Sequence, residues 1–342
     1  MLQRLLQKGV IAAATVAISL GTAATAQSKD LRMASLGQSS PTTIFSIAVT
    51  QILKEEHGYS IQLSTGSAAT RQAVEAANQQ LDLFVTAVSI NGFLKNGTRM
   101  YKDMPNAPEL FGNLRSIMNY PFGAYHAIVW EESGITSLDE MKGKKVFIGP
   151  PSGAARATIG AIISGVTGYE AGTDFEAISV DWSSAEQAFQ DRQIDVYFTA
   201  APIPSAELQQ LSALGKFRVL GIPDEKVDSE AIQKSFNIPG REFTMLEPGS
   251  YSGLVNDKPV RLVNTIVGLG TNKWLSEEDG YNITKAIFEN SEDLVAAAQW
   301  MKVITPENGL SQMNAPLHVG AYKYYKEVGI DVPEELIPPE AK

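Results

Sequence analysis

The feature that most constrains this chain is an apolar pattern that keeps switching period. "DLRMASLG" reads as a strand, and "PTTIFSIAVTQILKEEHG" as a helix whose apolar stripe is Ile44, Ile47, Ala48, Ile52 and Leu53. "YSIQLST" is again a strand, "AATRQAVEAANQQ" a helix and "LDLFVTAVS" a strand. Strands that alternate with helices of this length call for a largely parallel sheet with helices on its faces. Residues 95–112 are rich in Gly, Asn and Pro and predict loop with one short helix.

A second alternating set follows. "NLRSIMNYPFGAYHAIVWEES" supplies two extended runs, and "SLDEMKG" opens a helix at Ser137 with Glu140 three residues on, a capping box. "KKVFIG", "FEAISVDW", "IDVYFTA" and "KFRVLGI" read as strands, with helices between them in "GAARATIGAIISGVTG", "SSAEQAFQDRQ" and "IPSAELQQLSALG". The sets predict two α/β lobes, near 31–120 and 125–240. The tail returns strands and then helices, one capped by Ser276 and one by Ser291. With both lobes furnished, it is expected to cross back onto the first. The division expected is therefore 27–122 with 250–342 as lobe I and 123–249 as lobe II.

The first residues are read apart from the fold. Arg4 and Lys8 precede an apolar run that ends in Ala24-Thr25-Ala26, the layout of a secretory signal peptide over residues 1–26, cut before Gln27. Its apolar part is shorter than the roughly 18–20 residues of a membrane span. An exported chain without stable membrane insertion is the expectation. The formal net charge of −10 argues against nucleic acid and anionic membrane as partners, and it means that any anionic ligand must be captured by local charge. The absence of cysteine excludes thiol nucleophiles and cysteine metal sites.

Chemistry-bearing motifs are few. His57, His126 and His318 lie far apart without metal-ligand spacing, and there is no G-x-S-x-G, H-E-x-x-H, Walker or EF-hand loop. Neither a cofactor nor a metal is expected. Two strand–loop–helix junctions stand out instead, "STGSAATR" and "GPPSGAAR", each with small and hydroxyl residues and an arginine in the first helical turn, Arg71 and Arg156. A helix N-terminus already favours an anion. An arginine placed beside it adds a fork suited to carboxylate. The expectation is that the two guanidinium groups face each other across a cleft that binds one small acid.

Four segments carry a family resemblance. "APLHVGAYKYYKEVGI" (315–330) resembles P-L-H-P-G-A-x-x-Y-Y-x-E-x-G, the closing motif of the substrate-binding proteins of TRAP transporters, TAXI branch. "SGITSLDEMKGKKVFIGPPSGA", "STGSAATRQAVEAANQQLDL" and "PGSYSGL" resemble further segments of that family. The resemblance implies a two-lobed type II periplasmic binding protein fold with a hinge, each lobe a mostly parallel sheet flanked by helices. It implies a periplasmic receptor that closes over a small organic anion (a dicarboxylate, a keto acid or a glutamate-like acid). Delivery would be to the small and large membrane subunits of an ion-gradient-driven permease, with no catalysis by this chain. Carried over by position, Thr65, Gly66, Ser67 and Thr70 match the first ligand loop and Ser152, Gly153 and Ala154 the second, while Tyr251 matches the tyrosine near the crossover. Arg71, Arg156, Ser89 and Thr199 complete the candidate contacts. His318 and Tyr324 belong to the closing motif and are expected to be structural. The sequence departs from the family at Ser40, Pro41, Thr43 and Ile44, where glycine and aromatic residues are usual, and at Ala154, where a hydroxyl is lost.

Two other readings share this pattern. An ABC importer could use the same fold to collect sulfonate-like anions. An enzyme on a two-lobed α/β scaffold would need a general base, and neither junction carries His, Asp or Glu.

Overall fold

The computed structural model describes residues 29–38, 40–151, 154–236 and 238–342. The expected signal peptide, and Ser152 and Gly153 of the second junction, lie outside the described residues, as does the side chain of Ala154. The first alternation is present: β1 (Asp30–Ala34), α1 (Pro41–His57), β2 (Ser60–Ser64), α2 (Ala69–Ala77), β3 (Leu83–Ala87) and α3 (Val88–Asn96). After α4 (Ala107–Gly112) comes β4 (Leu114–Trp130), a single long strand where two extended runs were expected.

The second alternation is β5 (Lys145–Phe147), α5 (Ala154–Thr167), β6 (Glu176–Ile178), α6 (Trp182–Gln190), β7 (Val196–Ala201), α7 (Ala206–Leu214) and β8 (Phe217–Leu220). It ends with α8 (Glu230–Phe236) and β9 (Arg241–Leu246). Then β10 (Val260–Asn272) leads into α9 (Glu277–Glu289), α10 (Ser291–Ala297) and α11 (Val319–Glu327). No helix among the described residues is long and apolar enough to cross a membrane.

The α/β layout expected from the alternation is therefore the one found, with a more mixed sheet. The strands pair in the order β2-β1-β3-β10-β4-β7-β5-β6, with β8 on β4 and β9 on β10. The outer strands are parallel: β1 with β2 and β3, and β5 with β6 and β7. Every pair that involves β4 or β10 is antiparallel.

Those two strands serve both halves of the molecule. Val260, Leu262 and Val263 of β10 pack in the cores of the second half, and Val267 and Leu269 in the core of the first. At the changeover the register skips a residue, because Thr265 pairs with Gly123 and Ile266 with Pro121, leaving Phe122 over. This is a β-bulge, which bends a strand locally. Pro121 brings no N–H to the ladder. Gly123, at φ 149°, lies so close to β7 that a Cβ would sit 2.5 Å from the Ala201 carbonyl carbon.

Hydrophobic burial divides accordingly. Phe45, Leu53, Met33 and Tyr120 share a core with Ile287, Tyr324 and Tyr325 of the tail helices, so α9 and α11 complete the layer that α1 begins. In the second half, Val146, Ile159 and Phe198 pack on one face of the sheet, and Phe147, Phe189, Tyr197 and Phe217 on the other. Helix α1 is rotated from its expected stripe. It buries Thr42, Thr43, Phe45, Ser46, Val49, Ile52 and Leu53, while Ile44 and Ile47 stay 36% and 56% exposed. The cause is polar: Thr43 donates to Ser35 Oγ and the Gly37 carbonyl, and Ser46 to Ser35 Oγ and the Thr42 carbonyl. Hydroxyls satisfied inside the protein can take places that hydrophobicity alone reserves for isoleucine.

Candidate functional site

A cleft of about 2120 Å³ opens between the two halves. Its floor includes Phe122, Thr265 and Ile266 from the strand changeover. One wall comes from the ends of β1 and β3 with α3, the other from the end of β7 with α5, α6 and α7. Ligand sites in open α/β sheets collect at such strand ends.

Three of the expected contacts, Thr70, Ser89 and Thr199, line this cleft. The rest of the first junction serves its own loop. Gly66, at φ 96°, donates its N–H to the Leu36 carbonyl, and Ser67 accepts from the Gln72 side chain on both its carbonyl and its hydroxyl. Gln72 also donates to Ser35 O and accepts from the N–H of Val85, so it ties loop, β1 and β3 together. Thr65, like Gly66 and Ser67, does not line the cleft.

Neither expected arginine faces the cleft. The Arg71 side chain is 75% exposed and pairs with Glu75 one helical turn on, Nε to Oε1 at 2.7 Å. An acid at i+4 offsets the misplaced charge at the helix start, so no external anion is required there. Arg156 donates to the Gly149 carbonyl at 3.2 Å and borders a separate hollow with Thr173, Phe175 and Glu176. Tyr251 is buried against Phe217, where its hydroxyl accepts the N–H of Ser205, the residue that caps α7. The structure places these three side chains away from the cleft lining. From the second junction, Pro150 and Ala155 reach the cleft.

The arginines that do line it are Arg99 and Arg241. Arg99 follows α3 at φ 56°, a left-handed conformation uncommon outside glycine, and its guanidinium lies 6.0 Å from the Phe93 ring centre. Arg241 opens β9 and donates to Thr158 Oγ1 of α5 at 2.9 Å. Thr158 also hydrogen-bonds Tyr125 of β4, whose phenol burial pushes up. Burial, and then the nearby charge of Arg99, pull the Arg241 guanidinium below its ordinary value. The two cations thus come from opposite walls and sense each other across the gap. Sequence reasoning confined to helix starts missed both.

An acidic group lies elsewhere in the same cleft. Glu207, in the first turn of α7, accepts from Tyr197 Oη at 3.0 Å and Thr199 Oγ1 at 3.1 Å. Burial, and then the charge of Glu186 on α6, push its carboxyl up to about 7. The histidines stay out of the site. His126 is fully buried on β4, bonded through Nδ1 to the Ala124 carbonyl, and burial pulls it down to about 4. His318 caps α11 through Nδ1 and bonds the Leu275 carbonyl through Nε2, the structural role expected for it.

Comparison with known proteins adds a family and a set of folds. A family model described as the NMT1-like family matches residues 42–329. Among solved structures, the chain is similar to the periplasmic aliphatic sulphonate binding protein SsuA of Escherichia coli at 14% identity and a TM-score of 0.46, over 88% of this chain and 84% of that one. It is similar to the periplasmic ectoine-binding protein of the TeaABC TRAP transporter of Halomonas elongata at 13% identity and a TM-score of 0.43, over 87% and 90% of the two chains. The sugar acid binding protein DctPAm of Advenella mimigardefordensis matches at 12% identity and a TM-score of 0.44, over 90% and 86%.

Proposed function

This chain belongs to the NMT1-like family, and from that premise and the geometry of the cleft we propose that it is a periplasmic solute receptor for a small organic anion. In this reading residues 1–26 are removed on export, and the chain has no catalytic role. It hands its ligand to a TRAP-type permease of small and large membrane subunits, as the TAXI-branch resemblance suggests. The lobes are 27–122 with 250–342, and 123–249.

One observation carries the proposal. Arg99 and Arg241, on opposite walls of one cleft, lie close enough that the charge of one shifts the pKa of the other. Like charges held together in a partly desolvated space repel. An anion between them turns that repulsion into two attractions, each a charge-assisted hydrogen bond worth about 1.5–3 kcal/mol. Because the two groups sit on different halves, the anion also favours the closed arrangement, which a membrane partner can recognise. Thr70, Ser89 and Thr199 are the proposed hydroxyl donors beside them.

Calorimetric titration with organic anions tests this. Arg241→Ala is expected to weaken binding by about tenfold or more, while the ligand-free melting temperature shows whether the variant still folds. Unchanged affinity in a folded variant would remove Arg241 from the site. Native mass spectrometry of freshly purified protein identifies any copurified acid by mass.

A further inference from the structure

The chemistry around the two arginines narrows the ligand class. We propose that this end of the cleft takes a monoanion carried on a bulky apolar body, an arene carboxylate or arene sulfonate, in preference to a dicarboxylate; the inference rests on the receptor reading above. It has three supports.

The first is the apolar surface beside the cations. Arg99 lies over the Phe93 ring, and its neighbour Met100 lines the cleft with 51% of its surface exposed. Ile44, at 36%, is a second large apolar side chain left open in the same cleft. A ligand with its own apolar surface covers such groups, whereas a doubly charged small acid leaves them wet.

The second is room. Helix α5 turns Ala157 and Ala161 toward the cleft, two small residues one helical turn apart beside Thr158, while Gly165 a further turn on is covered by Ile232 of α8. With Arg241 fixed on Thr158, the small side chains of Ala157 and Ala161 leave room in the cleft for a ring attached to the bound anion.

The third is charge elsewhere in the cleft. Glu186 and Glu207 line the wall formed by α6 and α7, and Glu230 lines the cleft from α8 beside Lys234. A second carboxylate reaching away from the arginines toward α6 and α7 meets like charge there. Dicarboxylates are thus disfavoured by repulsion as well as by the apolar wall.

The test is calorimetric titration of the purified protein with benzoate, phenylacetate, benzenesulfonate, acetate, succinate and L-glutamate at fixed ionic strength. At least one arene anion is expected to bind about tenfold or more tightly than acetate, succinate and glutamate. Phe93→Ala should then reduce arene binding by about tenfold while changing acetate binding far less, and Phe93→Leu should restore most of it. Equal losses for every anion would overturn the apolar subsite. Succinate or glutamate binding more tightly than every arene anion would overturn this inference and leave the anion-receptor reading in place. If none of the six binds, both fall.

Discussion

Glu207 offers the sharpest physical test, because its environment makes a signed prediction about stability. Its ordinary pKa is 4.5, and in the fold burial and Glu186 push it up to about 7. Between those values the unfolded chain has released the proton while the native state still holds it. The native state then binds more protons, so stability falls as pH rises through this window. The difference of 7 − 4.5 = 2.5 units, at 1.36 kcal/mol per unit, gives an upper value of about 3 kcal/mol. Glu207→Gln removes the ionisation yet keeps the volume and an oxygen that accepts from Tyr197 and Thr199. Urea unfolding of both proteins, followed by circular dichroism at steps from about pH 4 to about pH 8, isolates the contribution as a difference. The wild-type value, less that of the variant, should fall by up to about 3 kcal/mol across the window and flatten on either side of it. Glu186→Gln should shrink the fall. Parallel pH profiles for wild type and Glu207→Gln would show that the carboxyl ionises normally, and would refute the account of its burial and of its coupling to Glu186.

Further predictions follow from the same contacts. Arg71→Ala removes only an exposed i,i+4 pair with Glu75 and should change stability by less than about 0.5 kcal/mol, with no effect on anion affinity in calorimetry. Tyr251→Phe strands the buried N–H of Ser205 and should cost about 1–3 kcal/mol in urea unfolding; a loss below a few tenths would mean that water replaces the hydroxyl. Gly123→Ala places a methyl 2.5 Å from the Ala201 carbonyl carbon, and should lower stability by about 1–3 kcal/mol or more on a thermal melt.

How far the sequence could be read depended on the range of the interactions involved. The strand–helix alternation needs only local periodicity, and it foretold β1 to β3 with their helices, the Ser137–Glu140 capping box and the Ser276 cap of α9. The face of α1 was misread because its inner stripe is set by the hydroxyl of Ser35 on the preceding strand segment, which a hydrophobicity pattern cannot register. Arg71 had its answer in plain view at Glu75, but a search for ligands gave the helix start precedence over the i+4 pair. Arg241 was out of reach altogether. Its hydrogen-bond partner Thr158 lies 83 positions away, and nothing local separates a strand arginine facing a cleft from one facing solvent. Strand β4 looked like two runs because Pro121 and Gly123 read as a break, while in three dimensions they bend one continuous strand.

That bend has a mechanical consequence. Any change of angle between the halves must be absorbed where β4 and β10 pass from one to the other, and the skipped register marks the place, at Phe122 against Thr265 and Ile266. Displacement in a rotation grows with distance from the axle, so these floor residues barely travel, and Arg241, whose backbone pairs with Thr265, stays close beside them. In the receptor proposed above, a solute would therefore settle first against the floor and Arg241, before the rest of the cleft comes together around it.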